Sequence, residues 1–157
     1  MPFALSKMKV ESTSFKALGE IPKRHSQEGE DVSPALSWSG APDDAKSFAV
    51  ICHDPDAPLV NPGNYGFVHW VLYNLPAGTT KLEEGADEGT QGVNDAGNRG
   101  YNGPMPPEGH GVHHYYFWVL AIDRELNLDP GMTLWEFLDR AAAHVVGMNR
   151  LVGTYQR

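Results

Sequence analysis

A few side chains in this chain stand where an aliphatic residue would pack better or where a turn would need less. His113 and Tyr115 lie two residues apart in the apolar run Val112 to Ile122. On a β-strand that spacing turns both toward one face, where they can share one small pocket, and turns His114 the other way. Asp54 and Asp56 flank Pro55 in His53-Asp54-Pro55-Asp56-Ala57-Pro58, so the restrained backbone aims both carboxylates. His69 is the polar exception in the apolar run from Tyr65 to Leu75. Imidazole N–H and phenol O–H groups donate to phosphate oxygens, and a carboxylate can orient an imidazole or accept an ammonium. The ligand such a set fits is a small phosphorylated or zwitterionic headgroup.

Each of these residues also has a plain structural reading. An aspartate starts turns, a strand histidine is more often a hydrogen-bonded core residue, and a tyrosine is at home in any sheet. Asp56, just before Ala57-Pro58, reads as the structural one of its pair, tying the loop's own amides. His110 reads as an exposed loop residue, and His53 and His114 carry weaker cases. What favours a site is convergence, because separate strands each place one ionisable group, Asp54, His69 and His113, against the packing preference.

The elements that must position them follow from hydrophobic patterning. One short edge strand is expected between Leu5 and Phe15, and Arg24 to Asp31 reads as a solvated connection. Ser33-Pro34-Ala35-Leu36-Ser37-Trp38-Ser39-Gly40 alternates as a half-buried strand. Ser47 to His53 and Tyr65 to Pro76 are apolar on both faces, as in strands covered on both sides. From Ala77 to Gly111 periodicity is lost, and this stretch holds nine of the 17 glycines. Its end, Gly100-Tyr101-Asn102-Gly103-Pro104-Met105-Pro106-Pro107, is a restrained loop that empties into the strand from Val112 to Ile122. Thr133-Leu134-Trp135-Glu136 is a capping box. The spacing of Leu134, Phe137, Leu138, Ala141, Ala142 and Val145 predicts a helix of about four turns, followed by a short strand over Leu151 to Tyr155. The sum is mostly β, a sandwich or two-layer sheet with one clear helix, in a single domain over 1–157.

Composition narrows the function. At 157 residues the chain can bury a sizeable core, roughly 70% of its unfolded surface. With 12 basic against 20 acidic residues the net charge is -8, which argues against nucleic acid and against electrostatic attachment to an anionic membrane. No apolar run is long enough for a membrane span. Cys52 is alone in an apolar strand, so no internal disulfide forms, and with no secretory core in Met1 to Lys9 the expected location is the cytoplasm. The usual zinc spacings, nucleophile elbows and phosphate-binding glycine loops are absent, so no metal or cofactor is expected.

At these residues the chain resembles the phosphatidylethanolamine-binding protein family, in its bacterial Raf kinase inhibitor-like branch. The resemblance is carried by Ser33 to Trp38, by His53 to Pro58, by His69-Trp70 with Asn74-Leu75-Pro76, and by Gly100 to Pro107 with His113 and Tyr115. It implies a β-sandwich with a large central sheet, one or two short helices and an anion pocket at one end. The positions that match the family's pocket are Asp54, His69, His113 and Tyr115, with Pro107 on the loop that walls it. It further implies a cis bond at Ala57-Pro58, a non-enzymatic binding role, and by similarity to bacterial relatives a homodimer. The alternatives it leaves are a kinase or protease inhibitor acting through its surface and, less favoured, a phosphoester hydrolase with His69 or His113 as general acid and Asp54 orienting it. Two departures stand out. His114 occupies the place where many members carry Arg, and the chain stops at Arg157 without the C-terminal helical extension of the animal proteins.

Overall fold

The computed structural model describes residues 5–59 and 65–157. Met1 to Ala4, part of the stretch read above for a secretory signal, lie outside the described residues. The elements follow in the order β1 (Lys9–Glu11), β2 (Leu36–Ser39), β3 (Ser47–Asp54), β4 (Phe67–Pro76), β5 (Lys81–Leu82), β6 (Thr90–Gln91), β7 (His113–Ile122), α1 (Leu134–Ala141) and β8 (Val145–Tyr155). They form two antiparallel sheets, a small one ordered β1-β2-β5 and a large one ordered β6-β4-β3-β7-β8. The sheets pack face to face as the sandwich the sequence implies, with α1 as the single α-helix among the described residues.

The large sheet is covered on both faces, which is why its central strands read as continuous apolar runs. Val50 and Cys52 of β3 meet Trp70 and Phe117 on the side of the small sheet. Ala49 and Ile51 meet Val71, Leu120 and Phe137 on the side of α1. Trp70, Phe117 and Phe137 are fully buried, and each large apolar side chain so removed from water contributes about 1.5–3 kcal/mol. β2, at the centre of the small sheet, has one solvated face, so it alternates as its sequence does.

α1 starts where the capping box predicts. The Thr133 hydroxyl accepts from the Glu136 amide at 3.2 Å, and the Glu136 carboxylate accepts from the Thr133 amide at 2.9 Å. It ends earlier than expected, at Ala141, followed by a 3-10 turn over Ala142–His144. From Val145, read as the end of the helix, to Tyr155 the chain is one long strand, β8, where only Leu151 to Tyr155 was expected, and it pairs with β7 from Ile122↔Val145 to His113↔Tyr155. The backbone groups along β7 need partners over its whole length, and β-branched Val145 and Val146 suit a sheet better than a helix end.

β8 is the outer strand of the large sheet, and the N-terminal segment lies along it. Ser6 donates to the Met148 carbonyl at 3.0 Å, Leu18 to Val152 at 2.6 Å and Ile21 to Thr154 at 2.8 Å, while the Thr154 amide donates to Gly19 at 2.9 Å. The pairing of β3 with β4 shifts register once beside the candidate site. Cys52 pairs with Trp70 and His53 with Val68, so His69 is an extra residue that opposes no partner. It is a β-bulge, a feature that re-aims a side chain.

Candidate functional site

Asp54 ends β3, His113 begins β7, and the two meet where adjacent strands finish at the same end of the large sheet. One oxygen of Asp54 accepts from His113 Nδ1 at 2.7 Å, and the other accepts from the Asp56 amide at 2.8 Å. Tyr115 lies one pleat further along β7 on the same face as His113. The bulge turns His69 to that face too, with its ring edge-on to Tyr115 at 5.2 Å. Asp54, His69, Pro107, His113 and Tyr115, the residues expected to form a pocket, are thus brought together around one cavity of about 210 Å³. Gln27, Phe67, Met105 and Pro106 complete much of its wall.

The hydrogen bonds assign the protons on the rings. A carboxylate and a carbonyl can only accept, so His113 carries its proton on Nδ1 toward Asp54. His69 carries its own on Nδ1 toward the Asn102 carbonyl, 2.7 Å away. In the neutral imidazole the other nitrogen, Nε2, is then a lone pair. This corrects the reading of these rings as neutral N–H donors, because they donate from Nε2 only when protonated. Burial pushes the His69 imidazole below its ordinary value, against the opposing pull of the bond to Asn102. Burial and the nearby Asp54 charge push the Tyr115 phenol far up, so it remains an O–H donor. No described residue bonds either His69 Nε2 or the Tyr115 hydroxyl. Burial likewise raises the Cys52 thiol well above its ordinary value, which leaves it a packed, un-ionised side chain.

The loop beside these rings is held by residues that sequence reasoning passed over. Asp31 accepts from the Gly103 amide at 2.6 Å and from the Asn102 side chain at 3.2 Å. Asn94 donates to the Asn102 side-chain oxygen at 2.7 Å, so Asn102 is fixed from both sides before its carbonyl meets His69. Tyr101 donates to the His25 carbonyl at 2.6 Å. At Gly103 a Cβ would sit 2.0 Å from the same carbonyl, which reserves the position for glycine. The stretch Arg24 to Asp31 is therefore no mere solvated connection. It contains buried His25 and Ser26, and it clamps the loop. Its polarity masked this, since one polar residue in eight looks much like another until its partner is known.

Other expectations change as well. No peptide bond among the described residues is cis, so Ala57-Pro58 is trans, the isomer that X-Pro bonds favour by about 0.5–1 kcal/mol when no tight turn demands otherwise. Among the described residues Asp56 ties no amide of its own loop. It accepts from the amide and the Nδ1 of His114, at 2.8 and 2.7 Å, so His114 supplies a partner for this carboxylate. Burial raises the Asp56 carboxyl, but the bonds from His114 outweigh it and the net direction is down. His110, read as an exposed loop residue, is exposed and yet contacts the site, its Nδ1 lying 2.6 Å from His113 Nε2. Its flanking glycines were the available signal.

A larger groove of about 460 Å³ opens on the helix side of the sheet, lined chiefly by apolar residues such as Ile51, Val68, Trp118, Leu120 and Leu138. It contains none of the expected site residues. No described helix is long and apolar enough to cross a membrane.

Comparison with known proteins gives a consistent picture. The model of the phosphatidylethanolamine-binding protein family matches residues 11–156. The UPF0098 protein of Methanothermobacter thermautotrophicus is 42% identical over 157 residues, covering 96% of this chain and 99% of its own. The crystal structure of a putative phosphatidylethanolamine-binding protein homologue from Chlamydia trachomatis superposes with a TM-score of 0.89 at 37% identity, covering 96% of this chain and 97% of that one. E. coli YbcL, described as a member of the mammalian family, superposes with a TM-score of 0.87 at 31% identity and covers 97% and 99% of the two chains.

Proposed function

The chain belongs to the phosphatidylethanolamine-binding protein family, and from that premise we propose that it is a non-enzymatic binding protein whose pocket takes a small phosphate-containing or zwitterionic headgroup. The observation that carries the reading is the convergence of Asp54, His69, His113 and Tyr115, from three strands, on one cavity of about 210 Å³. Its polar inventory is mixed. Tyr115 offers an O–H for an oxyanion, while neutral His69 offers an Nε2 lone pair that accepts from an ammonium or from the O–H of a singly protonated phosphate. A fully deprotonated anion is bound only if the imidazoles take up protons. Turnover finds less support, since the lone cysteine is buried and un-ionised and no activated nucleophile among the described residues lies against the histidines.

The test is calorimetric titration of inorganic phosphate and phosphoethanolamine at pH 6 and pH 8. Burial disfavours the charged form of His69, so the proton it needs comes with the ligand, and binding of phosphate strengthens as pH falls toward and below about 6.5. We expect affinity at pH 6 to exceed that at pH 8 and to fall at least about tenfold in His69→Ala and His113→Ala, the loss of one or two charge-assisted hydrogen bonds. Equal binding by wild type and both variants would remove the pocket from the function. It would favour a surface-acting inhibitor, whose protein target would survive the same substitutions.

A further inference from the structure

Both ring nitrogens of His113 are spent within the protein. Nδ1 faces Asp54 at 2.7 Å and Nε2 faces His110 Nδ1 at 2.6 Å. Each imidazole nitrogen makes one hydrogen bond, as donor or as acceptor. His113 therefore has no polar atom left with which to address a ligand while His110 stays where it is. Asp54 is buried and fixed by two bonds, so it cannot be the partner that yields.

His110 is built differently. It is exposed and does not line the cavity, and it lies against His113 from outside with the rings nearly edge-on, centroids 4.9 Å apart. Gly109 and Gly111 flank it at φ of 74° and 97°, a region in which they turn freely, and open space surrounds both. The loop just before it is anchored, because Arg157 donates to the Pro106 carbonyl at 2.6 Å and its own carbonyl accepts from Gly109 at 3.1 Å. Past that anchor, the His110 ring is held to the site by the bond to His113.

We infer that His110 is a built-in competitor for the pocket, occupying the His113 Nε2 lone pair until the O–H of a singly protonated phosphate displaces it and the imidazole swings outward on its two glycines. The inference rests on the headgroup-binding reading and adds to it a specificity-setting residue. A ligand must outbid one imidazole N–H donor, so molecules with no strong donor to offer Nε2 are screened out before they engage His113.

Protein labelled with 15N at histidine tests this directly. In wild type a coupling across the N–H···N bond should connect His110 Nδ1 with His113 Nε2, and it should vanish as inorganic phosphate is added to saturation. His110→Ala, a change at an exposed position, should bind phosphate roughly two- to tenfold more tightly, the range set by losing one competing hydrogen bond. If the coupling persists at saturation, or if His110→Ala binds phosphate equally or more weakly, the competitor role is overturned while the pocket reading stands. If neither wild type nor His110→Ala binds phosphate or phosphoethanolamine, the pocket reading itself fails and the competitor role falls with it.

Discussion

His113 and His114 are consecutive, and each is paired through Nδ1 at 2.7 Å with an aspartate from the same Asp-Pro-Asp turn. The chemistry and the distance are the same, but the surroundings differ. The pleat of β7 sends His113 with Asp54 into the sandwich, where their side chains are 2% and 3% exposed, and sends His114 with Asp56 outward, at 43% and 41%. Water screens the outer pair and leaves it worth little, whereas the inner pair is shielded from water and fixes which ring nitrogen carries the proton. Burial, and not the type of contact, separates a residue that tunes a pocket from one that trims a surface.

Removing the inner carboxylate should do the most damage. Asp54→Ala strands the His113 Nδ1–H and the Asp56 amide together, and we expect urea unfolding to show a loss of about 3 kcal/mol. A loss below about 1 kcal/mol would erase the contrast between the pairs. Asp56→Ala removes the chemically matching outer bond and should cost no more than about 1 kcal/mol, less as salt is added. A cost equal to that of Asp54→Ala would show that exposure was the wrong criterion. The finest test is the titration of Asp56 itself. Its carboxyl is held below 3.8 by His114, so the contribution of this pair to stability is present above that value and is lost as pH falls through the lowered one. In His114→Ala the carboxyl titration, followed by NMR, should move up, because burial then acts with little to oppose it.

Much of this arrangement was legible beforehand, and the reasons are local. The alternation in Leu36 to Ser39, the doubly apolar run of β3 and the Thr133 to Glu136 capping box each state their structure within a few residues. The spacing of His113 and Tyr115 states a shared face by the same logic. What stayed hidden depended on distant partners. Plain alternation along β4 would place His69 on the face opposite Trp70, and only the bulge against Cys52 and His53 turns it toward Tyr115. The clamp from Asp31 spans more than seventy positions to Gly103, and the helix that patterning carries to Val145 gives way to the pairing needs of β7. His110 was visible as a glycine-flanked histidine, but the nitrogen it contacts was not.

The N-terminal segment that lies along β8 has a consequence for how molecules of this chain meet one another. β8 is long, regular and outermost, and a strand of that kind with free amides and carbonyls is a template on which further strands add from neighbouring chains. The bonds from Ser6, Leu18, Gly19 and Ile21 occupy that template within the same molecule. The segment thus covers backbone groups that strands of neighbouring chains would otherwise meet, while its Phe15 and Ile21 side chains are buried in the core.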